Sequence, residues 1–115
     1  MNQKELNLQR RKVYNSYHIP GCGNLNRLKK NAVFLSAANS FEHEMAKCEQ
    51  CYILKKRGKE FITEAERNRK HGEARVKVDI VVLDTGEEIE IETDKNRAKG
   101  LIAENKATVV KLWEK

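Results

Sequence analysis

Hydrophobic and polar positions change rhythm along this 115-residue chain. Phe41, Met45, Cys48, Cys51 and Tyr52 recur at helical spacing and fall within an arc of about 120° when successive residues turn by about 100°. The spacing predicts a helix with that stripe against the core. Asn39 and Ser40 are N-cap residue types, and Glu42 and Glu44 follow in the first turn. Lys55, Lys56 and Arg57 occupy the last turn, with Gly58 placed to end it. Beyond Gly58 the rhythm alternates. Glu60 to Glu64 predicts a short strand, and Glu66 to Gly72 a basic connection. Arg75 to Leu83 and Glu88 to Thr93 predict two strands joined by the hairpin signal Asp84-Thr85-Gly86-Glu87. Thr93 or Asp94 caps a second helix running to about Glu104, and Ala107 to Trp113 predicts a buried closing strand. The core order is helix, three strands, helix, strand, with no internal repeat.

Upstream, residues 1–39 are polar and basic around Pro20-Gly21 and read as an arm, loop or partly helical, leaving 40–115 as the core domain. The length supports one small domain. The apolar run Ile80-Val81-Val82-Leu83 is far shorter than the roughly 18 residues of a membrane helix, and Met1-Asn2-Gln3-Lys4-Glu5 leads into no apolar signal core. No membrane association is expected. The three cysteines, Cys22, Cys48 and Cys51, are odd in number and lack the density of a disulfide scaffold, so a reducing, cytoplasmic compartment is expected.

Charge changes the picture. The net charge is +6, yet residues 73–96 hold eight acidic groups against three basic ones. Carboxylates gathered on a basic background suggest a metal site on a protein that binds a polyanion.

Two carboxylates fit poorly on a solvated face. Glu44 lies within the apolar stripe of the helix, where a carboxylate is costly unless it is paired, bound to a cation or extended to water. Asp79 interrupts an apolar strand. With Thr85-Gly86 as a two-residue loop, Leu83 lies opposite Glu88, Val81 opposite Glu90 and Asp79 opposite Glu92. Asp79, Glu90 and Glu92 then share one face, while Val76, Val78, Ile80, Val82, Ile89 and Ile91 form an apolar one; a longer loop with a bulge at Gly86 would change the register. Glu88-x-Glu90-x-Glu92 is also the pattern of an ordinary solvated strand face. A hard divalent ion held by Asp79 and Glu90 would relieve the cross-strand repulsion.

A helix carrying Glu44, a strand, Asp79, and then Glu90-Ile91-Glu92 on the next strand resembles the PD-(D/E)xK nuclease superfamily over residues 41–113. Within it the chain is similar to small archaeal-type Holliday junction resolvases and restriction-endonuclease-like domains. The resemblance implies an α/β fold with core order αβββαβ, a mixed central sheet flanked by helices. It implies a DNA endonuclease dependent on Mg2+ or Mn2+, with Asp79 and Glu90 as metal ligands and Glu44 as a further ligand. Val78 stands where the motif has Pro, and Glu92 where it has Lys. Either Glu92 holds the attacking water as a base or Lys77 supplies the cation; Lys77 reads equally as a plain strand lysine, and loss of the motif lysine also fits a domain that binds nucleic acid without cutting it. The implied chemistry is in-line attack of water on a phosphodiester of duplex or branched DNA. Its backbone would be held by Arg10, Arg11 and Lys12, by Arg67, Arg69 and Lys70, and by Arg97 and Lys99. A resolvase-like domain would also form a homodimer, so that two sites cut symmetric strands.

A zinc site is the remaining alternative. Cys48-x-x-Cys51 with Cys22 and His18 or His43 has the right residue types, but His43 projects away from the two thiols, so buried structural cysteines are favoured. Gly21-x-Gly23 follows no strand and lacks a third glycine, which excludes a dinucleotide fingerprint.

Overall fold

The computed structural model describes residues 1–20, 29–68, 77–92 and 108–111. The basic arm opens as helix α1 (Gln3–Tyr14), capped by Asn2, whose side chain accepts the Glu5 N–H at 2.8 Å. Strand β1 (Tyr17–His18) follows. Helix α2 (Phe41–Lys56) begins where the capping signal placed it, with Ser40 Oγ accepting the His43 N–H at 3.1 Å. It ends in a Schellman turn: Gly58 N–H donates to Lys55 O at 3.1 Å and Lys59 N–H to Leu54 O at 3.0 Å. That turn needs a left-handed residue, and Gly58 supplies it at φ 73°.

Strands β2 (Phe61–Arg67), β3 (Lys77–Val82), β4 (Glu88–Glu92) and β5 (Thr108–Lys111) complete a five-stranded sheet in the order β1-β2-β3-β4-β5. The first four are antiparallel neighbours, and β4 and β5 are parallel. The protein is thus α/β, with a mixed five-stranded sheet and two helices among the described residues. The second core helix expected over 93–104 lies outside them. Strand β2 runs past Glu64 to Arg67, because Glu66 and Arg67 pair with β1 and Glu66 also pairs with Lys77 of β3. Residues read as a basic connection are therefore partly strand.

The β3–β4 turn is longer than two residues. Gly86 adopts φ 81° and its N–H donates to Val82 O at 2.7 Å. Val81 consequently lies opposite Glu88 instead of Glu90, with Ile80 opposite Ile89.

The core lies on both faces of the sheet. Ile62, Ala65, Val78, Val81 and Leu83 pack with Ile19 under Val13 and Tyr14 of α1. Phe61, Ile80, Val82 and Ile89 pack under Cys51 and Leu54 of α2. Strict alternation would group Val78 with Ile80 and Val82, so the expected single apolar face is divided. The break falls at Asp79, beside the β2 residue Glu64, which holds φ 53°. Left-handed backbone is uncommon for a residue other than glycine and marks a local distortion of the strand.

Helix α2 is rotated relative to the expected stripe. Its buried residues are Glu44, Ala46, Lys47, Cys51 and Leu54, whereas Phe41, Met45 and Tyr52 face solvent. The reason lies in the sheet beneath. Glu64 and Asp79 meet the first half of the helix, so polar Glu44 and Lys47 turn inward and the apolar stripe turns out.

Candidate carboxylate site at a strand fork

The β3–β4 backbone pairing ends at Ile80 and Ile89. Just beyond it, Asp79 Oδ2 accepts the Ile91 N–H at 2.8 Å, so a side-chain carboxylate takes the place of a ladder carbonyl. The two strands fork around Asp79. His43, one residue before Glu44 on α2, reaches into the fork with Nε2 3.3 Å from the same Asp79 oxygen. Its Nδ1 lies 2.8 Å from Glu44 Oε1. An imidazole between two carboxylates donates to both in its protonated form.

Glu44 is anchored from several sides. Oε1 also accepts from Asn39 Nδ2 at 2.9 Å, and Oε2 accepts from Ser36 N–H at 3.0 Å and from Lys47 Nζ at 2.6 Å. Burial alone would push its pKa up, but these donors, Lys47 foremost, hold it down at about 2. Lys47 has 0% relative exposure and spends its three donors on Glu44 Oε2, Glu64 Oε1 at 2.6 Å and Phe34 O at 2.7 Å. Burial lowers the lysine pKa, and the two carboxylates more than offset that, so the net direction is up. Glu64 in turn pairs through Oε2 with Lys77 Nζ at 2.6 Å. The result is a continuous chain of polar contacts from Asp79 through His43, Glu44, Lys47 and Glu64 to Lys77.

The structure therefore brings Glu44, Asp79 and Lys77 into one network. Glu90 and Glu92 sit half-buried and buried on β4, and each makes interactions of its own. Ile89 packs under α2, so alternation along β4 carries Glu90 and Glu92 to the face of Glu88. There the Glu88 carboxylate bonds Tyr17 Oη at 2.6 Å and pairs with Arg67. Burial and the Glu88 carboxylate push the Tyr17 pKa up. Glu90 still follows immediately after the last β3–β4 pair, level with Asp79 along the fork.

Three members of the network escaped the sequence reading. Lys47 follows Glu44 by three residues, so a buried Glu44 implied a neighbour on the same arc. Glu64 is a charge within an apolar strand. His43 projects away from the Phe41–Tyr52 stripe, and because that stripe is the exposed one His43 faces the sheet.

Among the expected DNA contacts, Arg11 and Lys12 are exposed on α1. Arg10 is committed internally: Nε and a terminal nitrogen reach Asp84 at 3.2 and 3.0 Å, and Glu60 lies 3.5 Å away. Arg67 is held by Glu88. Arg69, Lys70, Arg97 and Lys99 lie outside the described residues. A cleft of about 560 Å³ lined by Asn7, Arg10, Arg11, Tyr14, Lys30 and Glu60 lies against α1.

The donor types at the fork suit a hard cation, but they are closed on one another. Among the described residues no three His, Cys, Asp or Glu side chains are placed to hold a metal ion. For zinc, Cys51 is buried and its thiol is pushed up to about 12, chiefly by burial, while His18 bonds Glu66 and Asn68. Cys22 lies outside the described residues. No described helix is long and apolar enough to cross a membrane.

These features define an α/β domain with a buried carboxylate network at a strand fork. Against protein-family models, curated proteins and solved structures alike, the chain finds no match.

Proposed function

We propose that the chain is a DNA endonuclease of the restriction-endonuclease-like kind, hydrolysing phosphodiester bonds of duplex or branched DNA with Mg2+ or Mn2+. The observation that carries this reading is Asp79 at the fork of β3 and β4, with Glu44 brought to it by a capped helix through His43. Glu90 follows the last ladder pair on the facing strand. The exposed Arg11 and Lys12 add phosphate-binding charge. The closed donor set does not fit a metal as it stands: loading one at Asp79 requires exchange of its His43 contact.

That same closure favours a second reading, a domain that binds DNA without cutting it. Lys47 and Lys77 neutralise Glu44 and Glu64, and Glu92 stands in the motif lysine position. The two readings separate on one experiment. Labelled single-stranded, duplex and four-way-junction DNA are incubated with wild type and Asp79→Ala in manganese, magnesium and EDTA. Metal-dependent cleavage that disappears in Asp79→Ala supports the nuclease. Binding by wild type without cleavage in either metal supports the second reading, and neither binding nor cleavage overturns both.

A further inference from the structure

The outward face of α2 carries a narrow apolar seam with no core beneath it. Phe41 is 74% exposed, Met45 51% and Tyr52 65%, and Cys48 between them is half-buried. At about 100° per residue the four positions fall within about 60° of each other, and they extend for about 16 Å along the axis. The steps of four, three and four residues are those of a helix–helix packing seam. Isolated exposed apolar residues need no explanation, whereas an aligned stripe on a regular helix marks an interaction surface.

The charges flanking the seam select its occupant. Exposed Glu42 and Glu49 lie in the first two-thirds of α2, and exposed Lys55 and Lys56 in its last turn. Two copies packed in parallel would set Glu42 against Glu42 and Lys56 against Lys56. Packed antiparallel about a two-fold axis near Cys48, they set Met45 over the partner's Tyr52 and Glu42 beside the partner's Lys56 on the same flank of the seam, while Glu49 near the axis meets its own copy. The helix dipoles also oppose in that arrangement. A two-fold contact must be self-complementary, with each patch meeting its own copy, and an apolar centre with an acidic and a basic end meets that condition. We infer that the outward face of α2 is a homodimer interface in which two α2 helices pack antiparallel through Phe41, Met45, Cys48 and Tyr52. The assignment does not depend on DNA cleavage or DNA binding.

Sedimentation equilibrium of the full chain over a concentration series tests it. Wild type is expected to show a reversible monomer–dimer equilibrium. Met45→Glu and Tyr52→Glu are each expected to weaken it by about 100-fold or more, with an unchanged urea midpoint at concentrations where wild type is monomeric, because both side chains are exposed in the monomer. Glu42→Lys and Lys56→Glu are each expected to weaken it by about tenfold, and the double variant Glu42→Lys/Lys56→Glu to recover it. A wild type that stays monomeric throughout, or a dimer indifferent to Met45→Glu and Tyr52→Glu, overturns the interface. A double variant no tighter than either single one overturns the antiparallel arrangement.

Discussion

Replacing Lys47 by Met removes the cation at the centre of the network while keeping most of the side-chain volume. Lys47 is fully buried and bonds two carboxylates at 2.6 Å each. Glu44 keeps Ser36 N–H, Asn39 and His43, and Glu64 keeps Lys77. Breaking a buried pair by removing one partner costs about 3–5 kcal/mol, because the charge left behind is uncompensated. The retained donors place the expected loss at the lower end, about 3 kcal/mol at pH 7. The pH dependence supplies an independent check. Glu44 sits at about 2 in the folded protein against an ordinary 4.5, a difference worth about 3 kcal/mol shared among its donors. Because the folded value is depressed, this stabilisation is complete above pH 4.5 and is lost as pH falls towards 2. The gap between wild type and Lys47→Met must therefore narrow through that window, as the unpaired carboxylate takes up a proton. Urea unfolding followed by circular dichroism at pH 7, 5, 4 and 3 measures it. A loss below about 1 kcal/mol at pH 7, or a gap as wide at pH 3 as at pH 7, would refute the network as a buried, charge-balanced unit. The double variant Glu44→Gln/Lys47→Met is expected to be more stable than Lys47→Met alone, since it removes one of the unpaired charges.

Other outcomes follow from the same geometry. Gly58→Ala is expected to cost about 1 kcal/mol in urea unfolding, from backbone strain at φ 73° alone, since an added Cβ there meets nothing within 4 Å. Arg10→Ala is expected to lower stability by about 2 kcal/mol. Burial raises the Asp84 pKa, but Arg10 and the Glu60 N–H bring it below the usual value; the Arg10 contribution is therefore present at neutral pH and fades on acidification, which an unfolding series from pH 7 to 3 reads. Cys51, 2% exposed and with its thiol pushed up to about 12, is expected to stay unmodified by a maleimide at pH 8 until the protein is unfolded, as peptide mapping would show.

Local chemistry made the ends of α2 legible, because Ser40 and Gly58 act on residues within one turn of themselves. The strands were legible for a similar reason: alternation is a nearest-neighbour property, and Asp79 stood out against it. Glu44 is legible too, since a carboxylate inside an apolar stripe needs a partner. Which face of α2 turns inward was not legible. The helix carries two stripes at steps of three and four residues, Phe41–Met45–Cys48–Tyr52 and Glu44–Lys47–Cys51–Leu54, and hydrophobicity alone chooses the first. The choice is made by Glu64 and Asp79 across the interface, at least 17 residues away from Lys47. The β3–β4 register was likewise decided by the left-handed Gly86, which favours a longer turn than the four-residue signal suggested. The partner of Arg10 lies 74 residues further on, beyond any local pattern.

Two described pieces of the arm, Tyr17–His18 and the stretch from Asn31 to Phe34, also act as a selvedge on the sheet. β1 pairs with the far end of β2, Asn31 exchanges hydrogen bonds with the Phe61 backbone at 2.7 and 3.0 Å, and the Phe34 N–H reaches Thr63 Oγ1 at 2.9 Å. Between them they cover the side of β2 that no other described strand occupies. A chain trimmed to residues 40–115 would expose that side, with Phe61, Ile62 and Ala65 along it, as a template for strands of other molecules. It would also leave Asp84 without its guanidinium. Such a fragment is expected to collect in inclusion bodies where the full chain remains in solution, so the basic leader is a guard against polymerisation as well as a carrier of charge.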